Sequence, residues 1–156
     1  MSEPPSSGES RDSESEFAFG DRFERIGRSL GERENVHAAD IARARSHIEG
    51  LRRAVASALD DFSGAARAAG APHLEVELSE IRTDDKHLRA LEFELVRGRH
   101  CAIVTAKSRG EVTLVGPFQR GKTEGPCRSF PFDAGPELRD AIGDFLEKFL
   151  DAAATP

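Results

Sequence analysis

The feature that most limits what this chain can fold into is a change of apolar period at Gly70-Ala71-Pro72. Before it, Ile41, Ala44, Ile48, Leu51, Val55, Ala58, Phe62, Ala65 and Ala69 recur in steps of three and four, the mark of one helix face. Asn35 suits the N-cap of this helix, which the spacing predicts from about Val36 to Ala69. After it the period falls to two. HLEVEL (73–78) sets Leu74, Val76 and Leu78 opposite Glu75 and Glu77, and LEFEL (91–95) sets Leu91, Phe93 and Leu95 opposite Glu92 and Glu94. HCAIVTAK (100–107) is apolar on both faces, as a central strand is. EVTLVGPF (111–118) and CRSFPF (127–132) complete five strands, with turn residues at Thr83-Asp84-Asp85, Arg97-Gly98-Arg99, Ser108-Arg109-Gly110 and 119–126. Connections this short favour an antiparallel meander. Asp133 as cap and Pro136 in the first turn open a last helix, whose apolar face is Leu138, Ile142, Phe145, Leu146, Phe149 and Leu150. The expected class is α+β: a long N-terminal helix, a five-stranded antiparallel meander sheet and a C-terminal helix packed on one sheet face.

The first helix raises a problem of length. At about 1.5 Å per residue it runs roughly 50 Å, against roughly 25–30 Å for strands of this size. Either it breaks at Gly50 or Gly64, or its surplus stripe packs on a second copy. The second option predicts a homodimer with a seam of Ile41, Ile48, Leu51, Val55 and Phe62.

Ahead of that helix, residues 1–34 read as a disordered acidic tail holding one short amphipathic segment (17–31), and 35–153 as a single domain. Residues 1–16 have no large apolar residue past the initial Met1 and cannot offset the entropy of ordering. Within the segment, Phe19, Phe23, Ile26 and Leu30 are spaced four, three and four apart, bounded by Gly20 and Gly31, with Asp21 as a cap. This stripe either folds back on its own domain or docks in a partner's groove.

Charge excludes some classes of function. The net charge of −6 over 156 residues argues against a general nucleic-acid binder. It is uneven: residues 1–40 hold 10 acids against 5 bases, and 89–128 hold 8 bases against 4 acids. No apolar run approaches the roughly 18 residues of a membrane span, and the N-terminus has no secretory pattern, so a cytoplasmic protein with no membrane partner is expected. Cys101 and Cys127 lack C-x-x-C spacing and read as two buried, reduced thiols. His37, His47, His73, His87 and His100 show no ligand spacing, so no metal or other cofactor is expected.

One motif invites an enzymatic reading. Gly116 to Thr123, GPFQRGKT, fits the phosphate-loop pattern G-x-x-x-x-G-K-[ST]. In a working loop Lys and Thr begin a helix whose amides hold the phosphates. Here Glu124-Gly125-Pro126 follow, and Gly and Pro would disrupt that helix. A phosphate-loop NTPase is rejected on these grounds, no nucleophile–base pair stands out, and the chain is expected not to be an enzyme. The loop matters for another reason. In a meander, alternate turns share one end of the sheet, so Arg97, Arg99, His100, Arg120, Lys122 and Arg128 are candidates for an anion or partner contact there.

The C-terminal stretch CRSFPFDAGPELRDAIGDFLEKFL (127–150) resembles the last strand and helix of the Pur-alpha repeat, a single-strand nucleic-acid-binding module. Glu137, Leu138, Arg139, Asp140, Gly143, Asp144 and Phe145 carry the resemblance. It implies a four-stranded antiparallel sheet followed by a helix, dimerisation, and nucleic acid bound on the open sheet face. The long leading helix departs from that module. So do Glu75, Glu77, Glu92 and Glu94, which would repel phosphate from that face. The leading expectation is therefore a non-catalytic, chaperone-like adaptor that contacts a protein partner as a homodimer, with the nucleic-acid module as the alternative.

Overall fold

The structure, a computed structural model, describes residues 18–83, 89–122 and 125–154. The acidic stretch 1–16, the Asp84-Asp85 turn, His87 and Thr123 lie outside the described residues. In chain order the elements are α1 (Gly20–Ala68), β1 (Glu77–Leu78), β2 (Arg82–Thr83), β3 (Ala90–Arg97), β4 (His100–Lys107), β5 (Glu111–Gln119), β6 (Cys127–Pro131) and α2 (Pro136–Ala154). The α+β class holds: long helix, antiparallel sheet, closing helix. The chain divides into two compact units, 1–38 and 39–156, with the border inside α1.

α1 corrects the sequence reading at its start. The amphipathic segment expected at 17–31 is helical from Gly20, but no break falls at Gly31 and Asn35 does not cap a new helix, so it runs on into the long helix. The breaks weighed at Gly50 and Gly64 are absent too. Glycine costs about 1 kcal/mol against alanine inside a helix, which weakens it without forbidding it. The real stop is Gly70, at φ +92°, a conformation few other residues adopt. There Ala71 N–H donates to the Ala66 carbonyl and Gly70 N–H to that of Arg67, closing the helix with both bonds of a Schellman cap.

The sheet runs β1-β3-β4-β5-β6, with β2 also on β3, and every pairing is antiparallel. The expected first strand is thus two short pieces, and Ser79 explains the split. Arg52 Nε of α1 draws the Ser79 carbonyl to itself at 2.8 Å, and the Ser79 hydroxyl accepts the Glu94 N–H in its place, also at 2.8 Å. β5 bulges at Gly116, which sits at φ +117°, and a Cβ there would stand 3.0 Å from the Cys101 carbonyl. The first residue of the phosphate-loop pattern is thus a strand-bulge glycine. Residues 116–119 belong to β5, and the chain returns as the antiparallel β6.

Within residues 39–156 one sheet face carries the core. Leu91, Ala106, Val112 and Phe130 form one cross-strand row, and Phe93, Val104 and Leu114 the next. Ala44, Ile48, Val55 and Leu59 of α1 cover them together with Leu138, Ala141, Phe145, Leu146, Phe149 and Ala153 of α2. Part of the expected dimer seam therefore faces inward. Ile48 and Val55 are 0% and 1% exposed inside the chain's own core, Leu51 packs against it, and Ile41 and Phe62 are half-buried. The chain's own core takes up Ile48 and Val55. Ala58, Ala65 and Ala69, read as part of it, are exposed, and Leu59 takes the inward position. α2 begins at Pro136 directly after Gly135, so Asp133 stands outside the capping position.

The opposite sheet face is mixed, with Val96, Cys101, Ile103 and Val115 beside Glu92, Glu94, Thr105 and Thr113. Arg82 bridges Glu92 at 2.9 Å and Glu94 at 3.1 Å, and the two carboxylates raise the pKa of its guanidinium. Thr113 and Ser129 hydroxyls meet at 3.0 Å between β5 and β6.

Candidate functional site

Two regions hold the residues singled out from sequence. The first lies wholly within residues 1–38. Phe19, Phe23, Ile26 and Leu30 are 47%, 61%, 49% and 50% exposed, and Val36 joins them at 63%. Among the described residues, every large exposed apolar side chain falls on this segment. Phe19 and Phe23 meet edge to face, with centroids 5.9 Å apart, so the stripe has local order of its own. An open surface hollow of about 410 Å³ lies between Arg22, Arg25, Ile26, Ser29, Leu30 and Arg33 of this same helix. The sequence reading found the apolar stripe and missed its arginine border, although the spacing of Arg22, Arg25 and Arg33 on a helix carries that signal.

The second region lies at the end of the sheet where the β3–β4 turn and the loop after β5 meet. The Arg120 N–H donates to the Arg99 carbonyl at 2.7 Å, so the two turns touch as the meander requires. Arg97, Arg99 and His100 line an open cleft of about 780 Å³ with His73, Glu75, Gln119 and the last turn of α2. The cluster is less free than its charges suggest. Arg97 gives a guanidinium hydrogen bond to the Ala153 carbonyl, closing the end of α2. Glu75, paired with Arg67 at 3.8 Å, adds an opposing charge. Burial and then Glu94 raise the pKa of the Cys101 thiol, and the Arg120 guanidinium acts in the opposite direction. Lys122 stands exposed in a turn. Arg128 leaves the cluster altogether. Its guanidinium covers the Phe130 ring at 5.0 Å, next to Asp144 and Lys148 of α2. Three of the six expected residues thus share the cleft, and one of those three holds a helix end.

Cys101 is buried as expected, Cys127 is exposed instead, and both are free thiols. No group of His, Cys, Asp and Glu among the described residues is arranged to hold a metal ion. No described helix is long and apolar enough to cross a membrane. The chain matches no known protein family, no curated protein and no solved structure.

Proposed function

We propose that this chain is a non-catalytic protein-binding module of the adaptor or chaperone-like kind, and that the N-terminal part of α1 is its docking element. One observation carries the reading: four large apolar side chains in helical register stand about half exposed on a single segment. A monomeric protein rarely leaves a contiguous apolar stripe bare unless something binds it. Fully burying one such side chain is worth about 1.5–3 kcal/mol. Covering the remaining half of four of them therefore contributes several kcal/mol toward the cost of association. A helix presenting residues at i, i+4, i+7 and i+11 suits a partner's groove or a second helix. The two free thiols fit a reducing compartment such as the cytoplasm.

The test is affinity capture with the wild-type chain and with Phe23→Ser/Ile26→Ser/Leu30→Ser. A defined partner held by the first and lost by the second supports the reading. Equal capture by both would end it. A second reading keeps single-stranded nucleic acid, because β3 to β6 followed by α2 has the element order that the Pur-alpha resemblance implies. It predicts a salt-dependent anisotropy change with a labelled oligonucleotide that Arg82→Ala weakens.

A further inference from the structure

The borders of the stripe differ in chemistry, and the difference identifies what it holds. At about 100° per residue, Arg22, Arg25, Ser29 and Arg33 fall along one side of Phe19, Phe23, Ile26 and Leu30, and Gly20, Gly27, Gly31 and the single acid Glu34 along the other. Arg22, Arg25 and Arg33 stand together with Ile26 and Leu30 around one open patch of the helix surface. On a helix, charges satisfy one another at three or four positions. Arg28, on the far side, has Glu24 and Glu32 at that spacing, whereas Arg22 and Arg33 have no acidic residue there. Arg25 has one acid at that spacing, Asp21, and turns its Nε to that residue's backbone carbonyl at 3.4 Å. The three glycines have no heavy atom within 4 Å of where a Cβ would stand, so another backbone can come close on that side.

We infer that the occupant of this site is an amphipathic helical segment of another protein, apolar along one face and acidic along the border that meets Arg22, Arg25 and Arg33. The inference rests on the docking role proposed above and names its partner. A second copy of the chain fits worse. Antiparallel pairing sets like borders together, arginine on arginine, and parallel pairing sets three arginines against three glycines and one acid, Glu34. An anionic membrane also fits worse, because interfacial helices carry a basic polar face. Here Asp21, Glu24, Glu32 and Glu34 balance the four arginines of residues 20–38.

The experiment uses the full chain and two labelled synthetic amphipathic peptides of about five turns, leucine on one face with a glutamate or a lysine border. Fluorescence anisotropy at low salt should favour the glutamate peptide by about tenfold, the scale of a few exposed ion pairs. Arg22→Glu/Arg25→Glu/Arg33→Glu should reverse the preference, and Arg28→Glu should leave it unchanged, with circular dichroism confirming that each variant folds. Equal binding of both peptides would overturn the acidic partner and leave the docking role standing. Binding of neither peptide would also overturn it, as would capture by phosphatidylserine vesicles without the glutamate peptide. Concentration-dependent self-association abolished by the Phe23→Ser/Ile26→Ser/Leu30→Ser variant would assign the stripe to a second copy and overturn it likewise.

Discussion

Ile48→Ala and Ile26→Ala make the same chemical change in the same helix and should differ severalfold in effect. Ile48 is 0% exposed and lies in the core beneath the sheet; Ile26 is 49% exposed. Truncating a buried isoleucine removes its transfer free energy and leaves a cavity, together about 2–5 kcal/mol. At Ile26 the lost burial is small and alanine's better helix propensity offsets part of it, so the change stays within about 0.5 kcal/mol. Urea unfolding followed by circular dichroism measures both through the shift in midpoint at constant slope. If Ile26→Ala costs as much as Ile48→Ala, the stripe is already covered in the free chain. Repeating the titration at two protein concentrations then tells self-association from docking in cis. If Ile48→Ala costs under about 1 kcal/mol, α1 does not hold the sheet as described.

Gly116→Ala should destabilise by at least the roughly 1–3 kcal/mol of a strained backbone position, since φ +117° and the Cys101 carbonyl at 3.0 Å both oppose a side chain; a thermal melt checks it. Glu111 has its pKa lowered by the Ser129 hydroxyl first, and also by Arg109, whose Nε lies 2.8 Å away. Its stabilising contribution is therefore present above the unfolded-state carboxylate range and lost as pH falls through the folded value. Ser129→Ala should cost more stability at pH 7 than in acid, leaving in acid only the loss of the Thr113 contact; a gap that does not change with pH refutes the assignment. Titration calorimetry with magnesium ATP should show no binding tighter than about millimolar. Lys122 is an exposed cation, worth about 0–1 kcal/mol as a single pair. Micromolar affinity abolished by Lys122→Ala would restore the phosphate-loop reading.

The periods of two and of three to four made the sheet, both helices and most of the core legible, because burial on one face imposes exactly those periods. Leu91, Phe93, Leu95, Ile48 and Val55 were all visible this way. The split first strand was not, since it depends on Arg52 reaching the Ser79 carbonyl from α1, a contact between residues distant in the chain. The continuity of α1 was hidden by Gly31 and Asn35, which mark ends in short helices and are tolerated in a long one. Length arithmetic misassigned the surplus stripe. The sheet covers Ile48 and Val55, and the uncovered part is Phe19 to Leu30, further toward the N-terminus. At the basic end, topology brought Arg97, Arg99 and His100 together as register alone implied. Side-chain direction, which register does not encode, sent Arg128 toward Phe130 and Arg97 to the end of α2.

The central claim is that a protein partner covers α1 between Phe19 and Leu30. Site-specific photo-crosslinking inside the cell tests it most directly, with a photoreactive residue placed at Ile26 in one variant and at Ser57, exposed on the same helix, in another. The account predicts a discrete protein adduct from position 26 that position 57 does not give and that Arg22→Glu/Arg25→Glu/Arg33→Glu removes. No adduct at position 26 above the level at position 57 would contradict it.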